Sequence, residues 1–166
     1  MNRIAIRLTL SLLLLTLLSA CGFQPRGQVS QLQSVPQPLY IAGVEPYSPL
    51  GKELRQQLTL AGASLTTDAD KAGAVLRISK VGHGQRLLSL DSRNRQAEAE
   101  LEESLHFNLR SAQSGELVPD QAVRVVRTLY KPQNQVLAYQ HEEDTVRGDM
   151  RRELVNLMIR RLAARL

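Results

Sequence analysis

Between Leu101 and Arg110 the chain alternates. Leu101, Leu105, Phe107 and Leu109 fall on one side of an extended backbone, and Ser104, His106, Asn108 and Arg110 on the other. Side chains of a strand alternate between faces, so this pattern predicts a sheet covered on one face only. Glu103 breaks the pattern. It lies on the apolar side, which requires either a place at the sheet margin or an arginine partner. Glu98, Glu100 and Glu102 share the opposite face and read as charges that keep a strand edge from aggregating.

A second strand is predicted from Ala74 to about Leu90. It opens on Val75, Leu76 and Ile78 and closes on Leu87, Leu88 and Leu90. Within it, Gly82-His83-Gly84 interrupts the alternation and marks a bulge or bend. A third runs near Ala122 to Tyr130, with Val123, Val125 and Leu129 set against Arg124, Val126 and Thr128, and Pro132 stops it. Leu39 to Val44, rich in β-branched and aromatic residues, reads as the first strand of the chain.

Two stretches change period. Leu50, Leu54, Leu58 and Ala61 fall at helical spacing behind Ser48, a capping residue, and Pro49, which suits a first helical turn; Gly62 ends the run. Val146, Met150, Leu154, Leu157, Met158 and Leu162 step by three or four in a long C-terminal helix. Acidic residues near its start and Arg160, Arg161 and Arg165 near its end complement the helix dipole. Gly148 weakens it by about 1 kcal/mol relative to alanine, which leaves the first turn free to stand apart. The order strand, helix, three strands, helix predicts an α+β fold: a two-layer sandwich whose mixed sheet of about four strands is covered by two helices. The first strand then joins the sheet in parallel across the first helix.

The N-terminus has another character. Arg3 and Arg7 precede an apolar core from Leu8 to Leu18, too short to span a bilayer as a finished helix. It ends in Leu18-Ser19-Ala20-Cys21, which resembles the lipobox of bacterial lipoprotein signals. The resemblance implies cleavage before Cys21 and a lipid on its thiol. Residues 1–20 are then a signal peptide, residues 21–37 an acylated tether rich in Gly, Pro, Gln and Ser, and residues 38–166 a single domain. Cys21 is the only cysteine, so no disulfide staples the fold. No later apolar run approaches eighteen residues, so the chain is anchored rather than spanning. Gly22 follows the cysteine where, in enteric-type lipoproteins, an Asp resembles an inner-membrane retention signal, and the absence of Asp favours the outer membrane.

Loss of Arg3 and Arg7 with the leader takes the formal charge from +5 to +3. Seventeen of the 21 basic residues are arginine, whose planar fork suits phosphates and carboxylates. A periplasmic location argues against nucleic acid as the partner. Catalytic chemistry is not legible: His83, His106 and His141 are far apart, His141-Glu142-Glu143 does not continue as a zinc motif, and no nucleophile elbow or phosphate loop exists. Asp68 and Asp70 read as a solvated turn, because the rest of a calcium loop is missing. No catalytic residue, metal ligand or cofactor is therefore expected beyond the lipid on Cys21. Arg86, Arg93 and Arg95 gather near one hairpin turn beside Ser92 and Asn94, a composition able to grip a phosphorylated glycolipid.

Taken together, several segments resemble one family. They are Cys21-Gly22-Phe23 with Arg26-Gly27, the Leu50–Leu58 helix and Ala74-Val75-Leu76-Arg77-Ile78. Ala99-Glu100-Leu101, Arg127-Thr128-Leu129-Tyr130 and Val136-Leu137-Ala138 before an acidic, then basic, helix complete the set. In this order they resemble the LptE family of lipopolysaccharide-assembly lipoproteins, although Leu101 and Leu129 stand where members often carry an aromatic. The resemblance implies an outer-membrane lipoprotein on the periplasmic side. It implies a one-to-one pairing with the β-barrel LptD, whose lumen it plugs and whose assembly it assists. It implies contact with lipopolysaccharide and no catalysis. The alternative is an auxiliary lipoprotein of a phospholipid-transport system, which would expose an apolar groove.

Overall fold

The computed structural model describes residues 32–93, 96–130 and 136–166. Strand β1 (Leu39–Ala42) leads into helix α1 (Pro49–Leu60). Ser48 caps α1 as its pattern requires: its Oγ accepts the Gly51 N–H at 3.0 Å. Strand β2 (Leu65–Thr66) and a single 3-10 turn (Ala69–Lys71) follow. Asp68 caps that turn by accepting the Asp70 N–H and pairs with Lys71, which accounts for this aspartate without a metal. Then come β3 (Ala74–Leu90), β4 (Gln96–Ser111), β5 (Gly115–Tyr130) and helix α2 (Val136–Ala163).

The sheet order is β2-β1-β3-β4-β5. β1 is parallel to β2 and β3, and β3, β4 and β5 form an antiparallel meander. This is the expected α+β arrangement with one addition, the two-residue β2, too short to leave any periodicity in the sequence. The parallel pairing of β1 with β3 across α1 is as expected.

The core lies between the helices and one face of the sheet. Leu76, Leu101, Leu105, Phe107 and Leu109 are fully buried from the sheet, Leu54 and Leu58 from α1, and Met150 and Leu154 from α2. Among the described residues, nothing is layered on the other face. Arg77, Ser79, His106, Asn108, Arg124 and Thr128 lie along it.

Four expectations change. β4 is the centre of the meander and not an edge, so Glu98, Glu100 and Glu102 do not guard an edge. They lie on the uncovered face and find partners across the ladder: Ser89 Oγ donates to Glu98 at 2.9 Å, Arg86 pairs with Glu100 at 3.1 Å, and Arg124 pairs with Glu102 at 3.1 Å. β5 begins at Gly115 rather than near Ala122. Pro119 sits where the register with β4 shifts between Leu109↔Val118 and Phe107↔Gln121, and a bulge in an outer strand tolerates the missing N–H. α2 runs unbroken from Val136 through Gly148, since buried Met150, Leu154, Val155 and Met158 outweigh the intrinsic cost of one glycine. The packed domain also starts before Pro38. Leu32 and Val35 are in the core, and Gln37 Oε1 accepts the Ser64 N–H at 2.9 Å.

One glycine is dictated by close approach. Gly43 has φ +85°, and a Cβ there would collide with the Ile78 carbonyl, so the β1–α1 link admits no side chain at this point.

Candidate functional site

The β3–β4 hairpin turns between Leu90 and Gln96. Of the three arginines expected at its turn, Arg93 is exposed, and its backbone N–H is tied to Asp91 Oδ1 at 2.8 Å. Arg95 lies outside the described residues. Arg86 stands five residues before Asp91, roughly 17 Å along a strand, and pairs with Glu100 on the uncovered face. The hairpin therefore separates Arg86 from Arg93 rather than bringing them together.

The sequence pattern concealed a second property of this end. Leu87, Leu88 and Leu90, read as the apolar close of a strand, are 51%, 42% and 49% exposed, and Tyr130, across β4 on β5, is 60% exposed. The hairpin end is thus amphipathic, with aliphatic side chains next to Arg93.

Glu103 resolves as the alternation required. It is 1% exposed and the one buried charged residue in the described core. His83 Nδ1 lies 2.5 Å from its Oε2, and Arg147 Nη1 donates to its Oε1 at 3.2 Å. Arg147 also pairs with Glu143 at 2.9 Å, so one guanidinium joins the sheet to two points of the charge network. Burial pulls the Arg147 guanidinium down, but the hydrogen bonds to Glu143 and Glu103 outweigh it and leave its pKa above the ordinary value. Gly82 and Gly84 flank His83. A Cβ at Gly82 would meet Ser104 Oγ at 2.6 Å, so the bulged strand presses against β4 and carries His83 to the carboxylate. A cavity of about 470 Å³ opens above the cluster, walled by Val44, Pro49, Leu50 and Val81, with Arg151 half-buried at its side.

Tyr139, one turn into α2, is buried. Desolvation, followed by the Glu143 charge, raises its phenol pKa above 10.0. Stability from this group is complete below the unfolded value of 10.0 and is lost as pH rises through the folded value, since the unfolded phenol ionises first. Denaturant unfolding at pH 8 and pH 11 should show a smaller alkaline loss for Tyr139→Phe than for the parent chain. Equal losses would remove Tyr139 as the cause.

On the uncovered face, His106 Nδ1 lies 2.7 Å from Asp120 Oδ2, and Ser79 is opposite His106 in register. The three residue types are those of a hydrolytic triad, but no hydrogen bond engages Ser79. The face is open strand surface without an oxyanion pocket. Among the described residues no group of three His, Cys, Asp or Glu is placed to hold a metal. Beside β5, Arg127 donates to Glu153 of α2 at 2.6 Å, a bond that raises the Arg127 pKa. Arg160 lines the same groove of about 370 Å³ and has no carboxylate partner among the described residues.

A one-sided five-stranded sheet under two helices is the α+β fold of solved bacterial lipoproteins. The solution structure of an uncharacterized lipoprotein B from Nitrosomonas europaea superposes with a TM-score of 0.69 at 30% identity, covering 86% of this chain and 91% of that one. The rare lipoprotein B of Shewanella oneidensis shares the fold, with a TM-score of 0.66 at 20% identity over 77% of this chain and 95% of that one. An LPS-assembly lipoprotein LptE of Yersinia pestis is 31% identical over 157 residues, covering 93% of this chain and 74% of its relative. The family model for LptE, lipopolysaccharide assembly, matches residues 36–162. The chain belongs to the LptE family.

Proposed function

We propose that this chain is an outer-membrane lipoprotein, held on the periplasmic side by lipid on Cys21. It pairs one to one with the β-barrel LptD, fills its lumen, assists its assembly and takes part in moving lipopolysaccharide to the outer leaflet. The observation that carries this reading is the uncovered sheet face. It is polar, and it sets the pairs Arg86–Glu100, Arg124–Glu102 and His106–Asp120 beside the exposed Arg77. A face of this kind suits the polar lumen of a large barrel, whose own polar groups can meet Arg77. The ten residues between Cys21 and Leu32 reach about 35 Å at most, enough for an anchored domain to enter a barrel mouth.

The hairpin end supports the glycolipid part of the reading. Guanidinium groups of Arg93 and Arg95 suit phosphates, and Leu87, Leu88 and Leu90 suit acyl chains. Arg86 joins them only by giving up Glu100. A phospholipid carrier is less well served, because Glu103, His83, Arg147 and Arg151 share the wall of the cavity with its apolar residues. Fitting and holding suffice for these roles, with no bond made or broken.

Depletion in cells tests the proposal: folded barrel should fall in parallel with the lipoprotein and lipopolysaccharide should fail to reach the surface. Normal barrel folding after depletion contradicts it. The glycolipid contact has its own test. Arg93→Glu with Arg95→Glu should weaken lipopolysaccharide binding about tenfold or more, by trading two attractions for two repulsions. Unchanged binding removes the hairpin from the route.

A further inference from the structure

The sheet has two edges, and they are treated differently. β2 closes one edge with only two residues. β5 forms the other with sixteen. Its first half is protected by Pro119, by the register shift beside it, and by Arg161 of α2, whose Nη1 donates to the Ala122 carbonyl at 2.5 Å. Nothing among the described residues covers the second half.

The direction of its backbone groups follows from the ladder. Ala112 N–H donates to the Gly73 carbonyl, so residues 106, 108 and 110 of β4 bond towards β3. Phe107, Leu105, Glu103, Leu101 and Ala99 therefore bond towards Gln121, Val123, Val125, Arg127 and Leu129 of β5. Ala122, Arg124, Val126, Thr128 and Tyr130 then turn their N–H and C=O groups outward, which agrees with the capture of the Ala122 carbonyl by Arg161. Beyond Ala122, four residues present free donors and acceptors along one line.

We infer that the β5 edge from Arg124 to Tyr130 binds one strand of the partner barrel chain before that barrel closes, by adding it to this sheet. The inference rests on the proposed barrel partnership and specifies how the partner is held during assembly. The groove decides what fits. A strand added here sets one row of side chains over α2, beside the Arg127–Glu153 pair and the uncompensated Arg160. Its other row lies beside Val126, 40% exposed, and Tyr130, 60% exposed. The strand must alternate polar or acidic with apolar residues. Transmembrane barrel strands have that period, apolar outwards and polar inwards, and before closure they have unpaired edges.

Val126 and Thr128 offer a clean test, since their N–H groups take no part in the β4 ladder. Proline there is tolerable at an outer edge and removes only donors meant for a partner. The double variant Val126→Pro/Thr128→Pro, in the full lipidated chain, should keep its circular dichroism and yield about tenfold less assembled barrel. Val126→Thr with Thr128→Val, which leaves the backbone intact, should assemble normally. A photo-crosslinker at position 128 of the otherwise unaltered chain should trap the unclosed barrel chain, which keeps the question answerable if the prolines prevent folding. A folded proline variant that assembles barrel normally, no crosslink at position 128, or a crosslink to a second copy of this chain overturns the inference. Absence of any barrel with the unaltered chain would instead overturn the partnership itself.

Discussion

Arg147→Ala is expected to destabilise the domain by about 3 to 5 kcal/mol, the cost of leaving a buried carboxylate without its cation. Glu103 is fully enclosed and has two partners, of which Arg147 is the one always charged. His83 is more than half exposed, so water compensates for its loss more readily than for loss of the enclosed guanidinium. His83→Ala should therefore cost less than Arg147→Ala. Replacing both members, Glu103→Met with Arg147→Met, should recover most of the loss, because the desolvation cost disappears with the charges. Denaturant unfolding of the parent chain, Glu103→Met, Arg147→Met and the double variant gives the coupling energy directly. Additive losses in the double variant would show that the pair is not a unit.

The second large effect concerns the anchor. Replacing residues 1–20 with a cleavable leader lacking a lipobox, together with Cys21→Ser, should move the domain from the membrane to the soluble periplasmic fraction when no barrel partner is present. Each acyl chain contributes roughly 0.8 kcal/mol per buried CH₂, so two or three chains exceed any contact the polar sheet face could make with lipid. No helix among the described residues is long and apolar enough to cross a membrane in its place. The prediction is checked by fractionation, and a domain still bound to membranes without lipid or barrel would contradict it. With the barrel present, retention of the unlipidated domain would measure the protein–protein contact alone.

The elements that proved legible in the sequence are those whose side chains repeat with the backbone. Leu101, Leu105, Phe107 and Leu109 alternate because β4 is buried on one face, and Leu50, Leu54 and Leu58 step by four because α1 is buried on one stripe. Glu103 was legible for the same reason, since a charge on an apolar face demands a partner. Its identity was not, because Arg147 is 44 residues away and meets it only through packing of α2 on the meander. Glu98, Glu100 and Glu102 were misplaced for a related reason: alternation reveals a solvated face but not whether a strand is central or lateral. β2 was too short to show a period, and the first half of β5 was missed because the bulge at Pro119 cannot be read from one strand alone. The hairpin site was read from its arginines. The three exposed leucines beside them were hidden, since an apolar residue at a strand end looks the same whether a helix covers it or stops short of it.

The pairing with a barrel is tested most directly by stoichiometry. The full lipidated chain, tagged at its C-terminus and extracted from membranes in mild detergent, should carry with it a single large β-barrel protein in near-equal molar amount. Recovery of the lipoprotein alone, or with a barrel only at trace level, would contradict the account.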